Sequence, residues 1–133
     1  MSWDVLILKA SALPLPKDLD DAEYLPLGPA AEVRQRISTL LPGIDWTDTS
    51  WGVYTGETFL IEFNTGGEDP IENIMLHVRG GGDVMPMIMA IIRPQGWSAF
   101  DCSMGEFLDP QNPSAAGWEG FQGFRVKVID ELP

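Results

Sequence analysis

Hydrophobic positions along this chain come in short bursts, most of them at the two-residue period of strands and two at the spacing of helices. Trp3 to Leu8 is apolar on both faces and rich in strand formers, which predicts a buried strand. Pro14, Pro16, Pro26 and Pro29 then bracket Lys17 to Glu23, which reads as a loop or a single helical turn. Proline at a first helical position is preorganised, and Pro29 opens a helix to Leu41. Val33, Ile37, Leu40 and Leu41 form its apolar face, Glu32, Arg34 and Arg36 face water, and Pro42-Gly43 ends it.

Ile44 to Ser50 is a polar connection. Trp51–Tyr54 and Glu57–Asn64 read as strands around Thr55-Gly56, and in the second Phe59, Ile61 and Phe63 alternate with Leu60, Glu62 and Asn64. After the turn signal Thr65-Gly66-Gly67, Ile71 to Arg79 is a further strand. It sets Ile74, Leu76 and Val78 on one face and Met75, His77 and Arg79 on the other. Gly80-Gly81-Gly82 breaks it. Asp83 is the expected N-cap of a helix from Val84 to about Arg93, with Pro86 in its first turn. This helix is apolar nearly all round and should be central and buried. Trp97–Cys102 predicts a strand and Asp109–Pro113 a loop. Trp118–Leu132 predicts a helix through the stripe Trp118, Phe121 and Phe124, against a competing alternation of Phe124, Val126 and Val128. The order β-α-β-β-β-α-β-α predicts one α+β domain over residues 1–133, a mostly antiparallel sheet of about four to five strands with two to three packed helices.

Composition adds charge to this picture. Twenty acidic residues stand against eight basic ones, a formal net charge of -12 on 133 residues. The hydrophobic share of 44% fits a folded domain rather than an acidic disordered tail. Such a body attracts cations and basic protein surfaces and repels nucleic acid, and its basic residues form no dense patch that would bind phosphates. The acids gather in the segments expected to be loops: Asp18, Asp20, Asp21 and Glu23, then Glu68, Asp69 and Glu72. The five tryptophans read first as core. No basic stretch precedes the short N-terminal apolar run, and no apolar run reaches membrane-spanning length, so a cytoplasmic location is expected. Cys102 is the single cysteine, which fits a reducing compartment.

The candidate chemistry is thin. Arg79-Gly80-Gly81-Gly82-Asp83 joins a strand to a helix, where consecutive glycines can present amide groups to an anion. Phosphate-loop spacing and its lysine are absent, and the ordinary reading is a tight turn. His77 is the single histidine and sits in no nucleophile motif. One histidine and one cysteine cannot fill a zinc site, Asp18 to Glu23 lacks the glycine and distal glutamate of a calcium loop, and no cofactor is implied. Asp101, Glu106 and Asp109 offer a carboxylate pair of the kind any acid-rich chain contains.

Several segments together carry a resemblance. They are Met1-Ser2-Trp3-Asp4-Val5, Phe59-Leu60-Ile61-Glu62-Phe63, Val78-Arg79-Gly80-Gly81-Gly82-Asp83, Gly96-Trp97 to Asp101, Gly105-Glu106-Phe107-Leu108-Asp109, and Gly117-Trp118-Glu119-Gly120-Phe121-Gln122. With these the chain resembles a family of small bacterial proteins similar to the immunity proteins encoded beside polymorphic or contact-dependent toxins; Ala12 to Pro29 departs most from that pattern. The resemblance implies a non-enzymatic inhibitor that binds and occludes a cognate protein toxin, with no catalytic motif to carry over. An acidic surface suits a basic partner such as a nuclease. Two other readings stand beside it: a small-molecule-binding domain or unorthodox enzyme using the Gly80–Gly82 turn, and a structural module that forms homo-oligomers.

Overall fold

The computed structural model describes residues 1–130. Strand β1 (Trp3–Ala10) lies at the centre of an antiparallel sheet, with β6 (Ile74–Gly80) on one side and β7 (Ser98–Asp101) on the other. Outward from β6 come β5 (Phe59–Asn64), β4 (Trp51–Thr55) and β3 (Asp45–Asp48); outward from β7 comes β8 (Glu106–Phe107). The short β2 (Tyr24–Leu25) pairs with the far end of β1. Helices α1 (Ala30–Leu40), α2 (Met85–Ile92) and α3 (Ala116–Asp130) complete the fold, with a 3-10 turn over Leu19–Asp21.

The α+β class, the antiparallel sheet and the helices are as the sequence predicts, but the sheet has eight strands rather than four to five. The three unforeseen strands share a cause. β2 and β8 are two residues long, and Asp45-Trp46-Thr47-Asp48 carries one apolar residue among four, because β3 is an outer strand with little to bury. Strand and helix boundaries also move: β6 begins at Ile74 rather than Ile71, β5 at Phe59 rather than Glu57, and α1 and α2 both start later than expected. Pro29 is the N-cap of α1 rather than its first residue, and Val84 rather than Asp83 precedes α2, with no side-chain cap. The helix expected over Trp118–Leu132 is present as α3; Leu132 lies outside the described residues.

Burial is concentrated on one face. Trp3, Val5 and Ile7 of β1, Ile61 and Phe63 of β5, Ile74, Leu76 and Val78 of β6 and Ala99 of β7 all point to the same face. There they join Val33 and Ile37 of α1, five residues of α2 (Met85, Ile88, Met89, Ile91 and Ile92) and Trp118 of α3 in one apolar cluster. This is the period-2 alternation meeting the helical stripe, and burial of each large aliphatic side chain contributes about 1.5–3 kcal/mol. The intervening strand residues form the opposite face, which is mostly half-buried, with Leu8 and Ser98 buried at its β1–β7 end.

Helix α3 is held against the sheet through its first half, by close packing at Gly117 and by two polar contacts. At its start, buried Asp101 on β7 accepts hydrogen bonds through Oδ1 from Trp3 Nε1 at 3.1 Å and from Ser103 Oγ at 2.7 Å. Its Oδ2 lies so close to Gly117 that a Cβ there would collide with it. Further along, Trp118 Nε1 donates to the Gly82 carbonyl at 2.9 Å and Gln122 Nε2 to that of Gly80 at 2.7 Å. Gly117→Ala is therefore expected to destabilise the fold by about 1–3 kcal/mol through overpacking. Gly120→Ala, in the same helix with open space around its Cβ, should stabilise it by about 0.5–1 kcal/mol. Paired urea titrations would check the opposite signs.

Candidate functional site

Antiparallel pairing gathers the two acidic loops at one end of the sheet. Asp18, Asp20, Asp21 and Glu23 lie exposed in the segment joining β1 to β2, and Glu68, Asp69 and Glu72 lie exposed in the turn joining β5 to β6. Just past β2, Leu27 N–H donates to the Ile71 carbonyl at 2.8 Å and Ile71 N–H donates to that of Gly28 at 2.9 Å. The chain after Glu23 is thus clipped to the chain before Glu72. Asp48, at the turn between β3 and β4, belongs to the same end because Trp51 pairs with Asn64. Hydrogen bonds from the Ser50 hydroxyl and amide hold its carboxyl below the ordinary carboxylate range, so it stays charged.

These acids are not equivalent. Asp69 Oδ1 accepts the Ala30 N–H at 2.9 Å, capping α1 from a distant part of the chain where Pro29 has no side-chain acceptor to offer. Asp69 is therefore a fold residue as well as a surface charge. Asp18, Asp20, Asp21, Glu23, Glu68 and Glu72 hold no side-chain hydrogen bond or ion pair among the described residues, and their charge is left for solvent or a partner.

The Gly80–Gly82 turn is closed by its own fold. Gly81 N–H donates to the Thr58 carbonyl at 2.8 Å, and the Gly80 and Gly82 carbonyls accept from α3. Gly82, at φ +91°, sits against Thr58 Oγ1 with no room for a Cβ, which accounts for the glycine there. Arg79 points to the other face of the sheet, and Asp83 is exposed beyond the turn.

On the opposite face of the sheet the structure brings together groups far apart in sequence. His77 Nδ1 lies 2.8 Å from Asp4 Oδ1, and its ring stacks on Trp51 with centroids 5.5 Å apart. Trp51 Nε1 donates to Glu62 Oε2 at 3.0 Å, and Arg79 Nε donates to Glu62 Oε1 at 2.6 Å. The Arg79 hydrogen bond holds the Glu62 carboxyl below its ordinary range. Ser2 Oγ donates to the same Asp4 oxygen that His77 meets. The carboxylate thus stands between hydroxyl and imidazole, the reverse of a triad in which the ring stands between the other two and takes the hydroxyl proton. Partial loss of hydration, then the neighbouring Asp4 and Asp101 carboxylates, push the Cys102 thiol up, away from the thiolate a nucleophile needs. Of the carboxylates considered as an acid–base pair, Asp101 and Glu106 are register partners, but Asp101 is 1% exposed and Asp109 accepts from Gln111 N–H in a turn. No group of three or more metal-ligating side chains occurs among the described residues, and no helix among them is long and apolar enough to cross a membrane.

Two concavities mark the surface of the described residues. A largely apolar groove of about 800 Å³ lies between Leu13–Lys17 and Glu106–Gln111, floored by Trp97 and Phe107. A polar recess of about 330 Å³ lies beside the open face, with Asn64, Glu68, Glu72, Asn73 and Met75 in its wall. The groove is remote from the glycine turn in sequence and shares no residue with it.

Two outcomes follow. Asp69→Ala should cost about 1 kcal/mol of stability by uncapping α1, read as a lowered denaturant midpoint, while Glu68→Ala should leave it nearly unchanged. Glu62 is depressed in the folded state, so its pairing stabilises above the ordinary glutamate value and is lost as pH falls through the lower folded value. Glu62→Gln should accordingly be less stable than the parent at neutral pH, with the gap closing below about pH 4. Thermal unfolding at neutral and acid pH would measure it.

No family model, curated protein or solved structure matches the chain.

Proposed function

We propose that this chain is a cytoplasmic binding protein of the immunity type, which inhibits a basic protein toxin by covering it. The observation that carries this reading is the shared placement of Asp18, Asp20, Asp21, Glu23, Glu68 and Glu72 at one end of a rigid sheet with their charges unpaired among the described residues. A net charge of -12 gives that end a long-range pull on a cationic surface, which raises association rate more than it slows dissociation. For a nuclease partner, carboxylates set where substrate phosphates would lie block the site without any chemistry. The small-molecule reading draws on the groove near Trp97 rather than on the glycine turn, whose carbonyls and central amide are engaged. Self-association of the whole molecule runs against its charge.

The test is expression beside the protein encoded by the adjacent reading frame. The reading expects rescue of cells from a toxic neighbour and a purified complex whose association rate falls about ten-fold or more as salt rises from about 50 to 500 mM. Neutralising the six free acids to Asn or Gln should slow association by about ten-fold, with a smaller change in dissociation rate. A neighbour with no toxicity, or a complex indifferent to salt and to these substitutions, would sink the reading.

A further inference from the structure

The sheet face opposite the core is built differently from an ordinary solvent face. Antiparallel sheets with one wet side carry polar residues there. Here the registers align Trp51, Asn64, Met75, Leu6, Phe100 and Phe107 as successive partners across β4, β5, β6, β1, β7 and β8. At the usual strand spacing this ladder is about 24 Å wide. Five of its six members are large and apolar, all six are half-buried, and none belongs to the core cluster under the helices. They reach that burial by leaning on one another and on their neighbours: Phe100 meets Phe107 edge to face at 5.1 Å, and Trp51 stacks on His77.

Charge flanks part of the ladder on each side, while at the β1–β7 pair the row on the recess side is the buried Leu8 and Ser98. The next row along the strands is Val53, Glu62, His77 and Asp4, again register partners, with Glu62 and Asp4 on either side of the imidazole. On the opposite side the ladder runs into the polar recess, whose wall holds Asn64 and Met75 of the ladder itself together with Glu68 and Glu72. The guanidinium of Arg79 is engaged, Nε with Glu62 and Nη1 with the Met1 carbonyl. One margin holds the unpaired Glu68 and Glu72, and the other holds carboxylates already engaged by Arg79 and His77, so the strip is complementary to a surface apolar along its centre with Lys or Arg at its edge, above all on the recess side. Lysine and arginine suit that edge because their aliphatic stems cover apolar surface while their heads reach the acids. A second copy of this chain would set the same carboxylates against each other, with a charge of -12 on each body.

We propose that this open face is the docking surface for the basic partner, with the Trp51–Phe107 ladder as its desolvated centre and the acidic loops as its steering rim. The proposal rests on the binding reading above and adds the face that makes contact. Half-exposed aromatic and methionine side chains at the centre, with charge at the edge, is the arrangement in which a few central residues set the dissociation rate.

The test uses the full chain and an inactivated form of the neighbouring toxin. Two substitutions place a cation in the ladder, Phe100→Lys and Asn64→Lys; the second falls on a position already polar and gives up one exposed hydrogen bond, from Gly66 N–H, so it is the milder of the two, and thermal unfolding of each variant reports on folding directly. Each should weaken the complex by about 30-fold or more, chiefly through faster dissociation. His77 is the single histidine, so its imidazole proton resonance is a one-site reporter on this face and should shift when the partner binds. A wild-type complex that keeps its affinity within about two-fold in both folded variants and leaves the His77 signal in place would overturn the surface while the binding reading stands. Absence of any wild-type complex would remove both. A wild-type dimer in sedimentation, dissolved by Asn64→Lys, would assign the face to a second copy and overturn the proposal as well.

Discussion

The structure depends on one strand being paired on both sides. β1 shares ladders with β6 and with β7, and Trp3, Val5 and Ile7 stand at the middle of the buried face. Removing β1 would leave two separate sheet fragments, each with an open edge and half a core. The helices have the same dependence: α1 and α2 pack on the apolar positions that β1 aligns, and α3 reaches the sheet through Trp118 against Trp3, ring centroids 5.5 Å apart. The buried carboxylate of Asp101, which takes the Trp3 indole N–H, fixes that corner with a polar contact in an apolar setting.

Burial concentrated on one face separates two tasks. The helix side carries the large buried cluster that holds the sheet together. The wet side carries side chains whose partners lie mostly on neighbouring strands, so its shape is fixed by register rather than by packing from above. The Asp4–His77 contact spans 73 residues of sequence, and the Glu62–Arg79 pair joins adjacent strands. Side chains tied across strands in this way have lost part of their freedom already, and that lowers the ordering cost of covering them.

What the sequence made legible follows from which forces are local. The alternation of Phe59, Ile61 and Phe63, and of Ile74, Leu76 and Val78, marked the buried faces of β5 and β6 because burial acts residue by residue. Pro29, the Pro42-Gly43 stop and the apolar run after Gly82 marked α1 and α2 for the same reason. Asp45–Asp48 was illegible, since an outer strand buries too little to leave a pattern. The acids of both loops were readable as exposed, but their common location was not, because it follows from a bridge between Gly28 and Ile71. Asp69 looked like its neighbours and is distinguished only by the helix N–H it accepts. The ladder from Trp51 to Phe107 appears only once five registers are known.

The central place of β1 has a consequence for how the chain is made. On the ribosome, residues 3–10 are synthesised long before residues 74–80 and 98–101, which supply both of their ladders. The most apolar strand therefore waits with both ladders unformed until β6 emerges at Gly80, and with one edge open until β7 emerges at Asp101. Local elements such as α1 and the β4–β5 hairpin can form in that interval, but the sheet cannot close. The nascent chain is thus the vulnerable form of this protein, and the abundance of acids around β1, which keeps emerging chains apart, acts on synthesis as well as on the finished surface.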